Sequence, residues 1–234
     1  MSEEIVWIAS FDIGKKNFSF YIEEFDVLPL NELCLGSPKE RYRKDGTPCE
    51  NFVPILDDIC GGGKKILLEN HDLTKNCKGG SYLDPLTFYN MNNLLDEYRD
   101  YWEQCDLFVI EKQMSFRGIY NTMALKLGQH CWSYFCINYG TGSNVVEFPA
   151  YYKTQILGIP KICKINKSKK ISYKSVSKPV RKKWCIDRGI EIIGRRGDED
   201  TLNDIKKSKK KDDLCDVICQ LQAFKILKYV DKIY

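Results

Sequence analysis

Asp12 ends an apolar run, Ile5-Val6-Trp7-Ile8-Ala9-Ser10-Phe11-Asp12-Ile13-Gly14. An ionised carboxylate in such surroundings costs several kcal/mol unless positive charge meets it, and a divalent cation is the simplest compensation. Two other placements pose the same problem. Glu111 closes the apolar segment Leu107-Phe108-Val109-Ile110, and Asp213 and Asp216 open an amphipathic segment. Three positions apart, those two aspartates project from one helical face about one turn apart, with Leu214, Val217 and Ile218 turned inward. Each carboxylate alone has a structural explanation: aspartates suit the first turn of a helix, Asp212 is placed as an N-cap, and Glu111 has Lys112 beside it. Four carboxylates from two strands and a helix are together what a two-metal site needs, because hard Mg²⁺ ions prefer oxygen ligands. The set predicts a metal-dependent nuclease, with one ion activating water and the other stabilising the departing 3′ oxygen. Glu69, at the end of another apolar segment, competes with Glu111 for that role.

The elements that must carry these groups follow from the hydrophobic pattern. Residues 5 to 13 place Ile5, Trp7, Ala9, Phe11 and Ile13 on one face and Val6 and Ile8 on the other, as in a central strand covered on both sides. Asn17 to Ile22 reads as a second strand, joined to the first by a short hairpin turn. Lys65 to Asn70, Leu107 to Ile110 and Val145 to Phe148 read as three more strands. Helical spacing appears over Leu86 to Glu103, about Ile119 to Tyr139, and Leu214 to Tyr229. Residues 26 to 64 hold Pro29, Pro38, Pro48, Pro54 and the run Gly61-Gly62-Gly63, and are expected to form an insertion with little regular backbone. The order βββαβαβα predicts an α/β fold, a mixed five-stranded sheet with helices on both faces. The 234 residues, 43% hydrophobic, suffice for one domain spanning 1–234.

The formal charge of +4 conceals a strong asymmetry. Between Ala150 and Ile186 there are eleven Lys or Arg and no acid, and Lys206 to Lys211 adds five lysines, which leaves 20 basic against 32 acidic residues elsewhere. A basic tract of this length points to a polyanion, with nucleic acid the first expectation and salt-sensitive binding its consequence. No basic and apolar leader and no run of about 18 uncharged apolar residues occurs, so a soluble intracellular protein without a membrane span is expected. The eleven cysteines are odd in number and lack C-x-x-C spacing, so reduced thiols are expected. Cys49, Cys60, His71 and Cys77 are too irregularly spaced for a structural zinc site.

Three segments carry a family resemblance: Ser10-Phe11-Asp12-Ile13-Gly14-Lys15-Lys16-Asn17-Phe18; Val109-Ile110-Glu111-Lys112-Gln113 with Ala124-Leu125-Lys126-Leu127-Gly128-Gln129; and Lys210-Lys211-Asp212-Asp213-Leu214-Cys215-Asp216. In that order they resemble the RNase H superfamily and, within it, the RuvC-like Holliday junction resolvases of the poxvirus type. The resemblance implies an RNase H-like fold, with Asp12, Glu111, Asp213 and Asp216 as catalytic metal ligands for Mg²⁺, replaceable by Mn²⁺. It implies a catalytic lysine before the last helix, where Arg181-Lys182-Lys183 leaves Lys182 and Lys183 both open. Lys153, Lys178 and Arg181 would contact DNA, and Phe116 would press against bases at the junction. Implied further are a homodimer making paired nicks in four-way and other branched DNA, in recombination and replication-intermediate processing, and, for a viral relative, action where viral DNA is replicated. The helix 119 to 139, through Tyr120, Ala124, Gly128 and Trp132, is the candidate dimer face. The stretch 26 to 86, with its insertion near 26–64, is longer than the compact bacterial form requires, and residues 158–178 look like an added basic loop. An RNase H-like nuclease with another substrate, or a catalytically inactive nucleic-acid-binding module, are the alternatives.

Overall fold

Seven of the eight residues Ile5 to Asp12 precede the acid without a glycine or proline, and aliphatic and aromatic side chains dominate, as strands favour. In the computed structural model they form β1 (Ile5–Asp12), paired antiparallel with β2 (Phe18–Asp26) so that Asp12 lies opposite Ser19. The structure describes residues 3–78, 83–113, 121–140, 144–165 and 171–234. After β2 come three short helices, α1 (Leu28–Asn31), α2 (Pro38–Arg41) and α3 (Val53–Gly61), then β3 (Lys64–His71), α4 (Pro85–Glu97) and α5 (Arg99–Trp102). Next are β4 (Leu107–Lys112), α6 (Thr122–Asn138), β5 (Val145–Pro149) and α7 (Ala150–Ile156). A separate ribbon, β6 (Ile162–Ile165) and β7 (Ile171–Lys174), precedes α8 (Lys178–Arg195), α9 (Glu199–Lys207) and α10 (Lys211–Lys225), which ends in a wider turn over Ile226–Val230.

The main sheet has the order β3-β2-β1-β4-β5, in which β2 alone runs opposite to the rest: it pairs antiparallel with β1 and β3, while β1, β4 and β5 pair in parallel. It is the expected mixed five-stranded sheet, and β1 is its centre. The alternation of β1 divides the core as its sequence requires: Ile8 packs with α3, α8, α9 and α10 residues, while Ala9 and Phe11 pack with α4, α6 and Trp102. Helices therefore cover both faces.

Several expectations are corrected. Residues 26 to 64 hold more regular backbone than expected, in three short helices, because Pro29, Pro38 and Pro54 occupy first-turn positions of α1, α2 and α3, where a missing N–H costs nothing. The 86–103 helix breaks at Tyr98 into α4 and α5. The basic loop 158–178 contains the β6–β7 ribbon, and α7, α8 and α9 were not anticipated. In α8 the inward stripe Cys185, Gly189, Ile192, Ile193 begins only after two basic turns, so its period was hidden by charge. The proposed dimer face of α6 turns inward: Ala124 and Gly128 are buried and Trp132 packs on the core, while Tyr120 lies outside the described residues.

Candidate active site

The pleat sends Asp12 to the same side as Ile8 and Ser10, and Glu111 to the same side as Leu107 and Val109. That side carries α10. The last β1–β4 pair is Phe11 with Ile110, so Asp12 and Glu111 follow it at adjacent strand ends. Gln220, one turn beyond Asp216, pins the helix across this seam: its Nε2 donates to Ser10 Oγ at 3.1 Å, Phe11 O at 3.1 Å and Val109 O at 3.2 Å. The anchor brings Asp213 and Asp216 to the ends of β1 and β4. The helix starts earlier than expected, with Lys210 as cap, so Asp212 is a first-turn residue rather than the N-cap.

Two lysines meet these acids. Lys153, only 6% exposed on α7, places Nζ 3.0 Å from Glu111 Oε2 and 3.0 Å from Asp216 Oδ2. Burial works to lower its pKa, but Glu111, Asp216 and Asp12 outweigh it and hold the ammonium well above its usual range. Burial first, and then the charge of Glu111, push the Asp12 carboxyl well above its usual range, with Lys153 opposing. Asp213 is raised by burial and by Asp212, and its Oδ2 is buried without a hydrogen-bond partner among the described residues. Lys182 is bonded to Asp212, which raises its pKa, and Asp213 and Asp216 add to that effect.

The four carboxylates open into a cleft of about 1010 Å³. Among the described residues they are its only acids. Lys178, Arg181 and Lys182 line it from α8, Lys161 from the segment after α7, and Lys39, Arg43 and Lys44 from the region of α2. Phosphate-bearing strands suit such a rim, and carboxylates beneath it suit a cation. All four donors are carboxylate oxygens and one is buried and unpartnered, so the residues fit a hard divalent ion. As the side chains stand, no three acid, thiol or imidazole groups among the described residues are drawn closely around one point. Lys153 explains this, because its ammonium bridges Glu111 and Asp216.

Not every expected residue lies here. Lys183 is exposed, lies outside the cleft lining and pairs with Asp187 on its own helix at 2.6 Å, because one residue along a helix turns the side chain by roughly 100°. Lys153, expected at a DNA phosphate, is instead buried between acids. Phe116 lies outside the described residues. Glu69 sits on β3 opposite Phe20, near His71 at 3.5 Å, away from the cleft. Lys112 pairs with Glu147 at 3.7 Å, not with Glu111. Among the zinc candidates, Cys60 is buried near Arg188 while His71 stacks on Phe20 and Cys77 contacts Thr87. Sequence reasoning missed Gln220, whose spacing of four from Asp216 was a readable signal, and missed Lys39, Arg43 and Lys44, which no motif marks.

No family model matches the chain. Over 250 residues it is 36% identical to protein 170L of Invertebrate iridescent virus 6, an uncharacterized protein, covering 98% of this chain and 93% of that one. It is 33% identical over 225 residues to the uncharacterized protein 97L of Invertebrate iridescent virus 3, covering 93% and 98%. Its fold matches the crystal structure of the fowlpox virus Holliday junction resolvase at a TM-score of 0.50 and 20% identity, covering 98% of this chain and 100% of that chain.

Proposed function

The chain belongs to the iridovirus family of protein 170L, and from the carboxylate cluster in a resolvase-like fold we propose a Mg²⁺-dependent endonuclease that resolves four-way and other branched DNA. The observation that carries this reading is the convergence of Asp12, Glu111, Asp213 and Asp216 from β1, β4 and α10 beneath a cationic rim. These four would hold Mg²⁺, or Mn²⁺ in its place. The bound ion would neutralise charge on the scissile phosphate and make a nucleophile of water at neutral pH.

The protein's own groups do the remaining work. Asp212 holds the Lys182 ammonium in place, and near Asp213 and Asp216 it supplies fixed positive charge to a phosphate as negative charge accumulates in the transition state; such preorganised donors are worth about 10² to 10³ in rate. Lys178 and Arg181 position the strand. Lys153 keeps Glu111 and Asp216 together before an ion arrives. Hydrolysis leaving a 5′ phosphate and 3′ hydroxyl, done in pairs by a homodimer across a twofold junction, completes the reading. Its setting would be viral DNA replication and recombination, given the viral relatives. No helix of the described residues is long and apolar enough to cross a membrane.

The test is a labelled four-way junction beside a matched duplex and an RNA–DNA hybrid, with Mg²⁺ or EDTA, using wild type, Asp12→Asn and Asp213→Asn. Paired nicks in the junction alone, absent in EDTA and in both variants, are expected. Cutting of duplex or hybrid instead would make it an RNase H-like nuclease with another substrate, and binding with no cutting under any condition would make it a binding module.

A further inference from the structure

The segment 36–50 has no part in the carboxylate motifs, yet it lines the same cleft. It is a rigid hairpin, not a trailing loop. Arg43 N donates to Thr47 O at 2.8 Å, Gly46 N to Arg43 O at 2.9 Å, and Cys49 N to Arg41 O at 2.8 Å, with Tyr42 bridged to Pro48. Asp45 Oδ1 accepts from Thr47 N at 3.0 Å and Thr47 Oγ1 at 2.7 Å. Gly46, at φ +89°, is pressed so near Ile159 O that a Cβ would sit 3.2 Å from it.

Its root is fastened to the catalytic body. Buried Arg41 pairs with Asp231 at 2.5 Å, the Tyr42 hydroxyl donates to Ile156 O at 2.5 Å, and Lys161 N donates to Asp45 O at 2.7 Å. Ile156 ends α7, the helix of Lys153. The hairpin is therefore indexed to the acids and to the root of the β6–β7 ribbon at once. On this base stand three exposed cations, Lys39, Arg43 and Lys44, all lining the cleft. Among the described residues Lys39 and Lys44 carry no ion pair, and Arg43 has exposed Glu50 at 2.9 Å, a pair that solvent screens. A braced backbone that presents exposed positive charge, paired at most with one solvated acid, beside a carboxylate floor is arranged for phosphates.

We infer that the 36–50 hairpin is a phosphate-binding wall of the cleft, with Lys39, Arg43 and Lys44 holding the DNA strand that Asp12, Glu111, Asp213 and Asp216 act on. The inference rests on the nuclease reading and names residues by which the site takes its substrate. It contributes affinity and register, while the carboxylates and Lys182 carry the chemistry.

The experiment measures Kd for a fluorescent four-way junction in EDTA from 50 to 200 mM salt. It compares wild type, Lys39→Ala/Lys44→Ala, and Lys75→Ala/Lys126→Ala, whose exposed lysines lie toward the opposite face of the sheet and outside the cleft. Each lost phosphate contact lowers the slope of log K against log salt by about 0.9. The hairpin variant should therefore lose about 1.8 from the slope, so that over this fourfold salt range wild type loses about twelvefold more affinity than the variant does. The control pair should keep the wild-type slope, and thermal midpoints within a degree or so of wild type verify that all three are folded. A wild-type slope in the hairpin variant, or an equal fall in the control, overturns the inference while leaving the nuclease reading intact. Wild type that binds no branched DNA overturns both.

Discussion

Replacing Lys153 with Met keeps the length and apolar stem of the side chain and removes one buried positive charge. Nζ stands 3.0 Å from both Glu111 Oε2 and Asp216 Oδ2, so each attraction is about 5 to 6 kcal/mol at an effective dielectric of about 20. Most of that gross figure is offset by the ammonium's own desolvation, several kcal/mol. The variant also leaves four carboxylates with no buried cation among them, and breaking a buried pair costs about 3 to 5 kcal/mol. We expect Lys153→Met to lose about 4 kcal/mol at pH 8 in EDTA, a fall of about 1 to 2 M in urea midpoint. The pH dependence has a definite sign. Without Lys153 the Asp12 carboxyl, raised already by burial and by Glu111, loses the charge that opposes those effects and rises further above its unfolded value. Stability from such groups is fully present below the unfolded value and is lost as pH climbs through the folded one, so the deficit should shrink toward pH 5. Mg²⁺ should stabilise the variant by about 2.7 kcal/mol at a hundredfold excess over its Kd, and wild type by less, because Lys153 competes for the same carboxylates. Urea titrations at pH 5 and 8, with and without Mg²⁺, measure all of this. A variant as stable as wild type at pH 8 in EDTA, or a deficit that ignores pH, would refute the argument.

Further outcomes follow from the same geometry. Lys182→Ala should slow single-turnover cleavage by about 100-fold, whereas Lys183→Ala, which breaks an exposed pair with Asp187, should stay within about twofold; equal losses would mean that both serve the reaction. Gln220→Leu leaves Phe11 O and Val109 O without their side-chain donor and should cost about 2 kcal/mol in denaturant unfolding, with Mg²⁺ affinity falling because α10 loosens from β1 and β4; unaltered metal affinity would show that packing alone places the helix. Glu23, fully buried, accepts from Tyr21, Arg196, Gln222 and Lys225. Burial would raise its carboxyl, but Lys225 and then Arg196 overcome that and hold it below the usual value. Its contribution is thus present above the unfolded carboxylate range and is lost as pH falls through the folded value. Glu23→Gln should cost about 3 to 5 kcal/mol at pH 7 and flatten the acid limb of the stability profile; an unchanged limb would assign acid unfolding to other carboxylates.

The sheet was legible because its strands obey a local rule. Two-sided apolar alternation in β1 could be satisfied only at the centre of a covered sheet, and the placement of Asp12, Glu111, Asp213 and Asp216 at element ends followed from the same pattern. Prolines concealed the helices of residues 26 to 64, since a proline at a first-turn position and one that breaks a helix look alike until the chain around them is known. Charge concealed α8, whose first two turns face the cleft rather than the core.

The sequence by itself determined which residues could bind a cation, in what order, and on which elements, because residue type and periodicity are local properties. Tertiary structure alone decided that Lys153 is a buried counter-ion, that Lys182 and not Lys183 faces the acids, and that residues 36–50 stand at the cleft. Those outcomes depend on where segments 30 to 114 residues apart come to rest, and the rotation that separates Lys182 from Lys183 acquires meaning only when α8 is seated against α10.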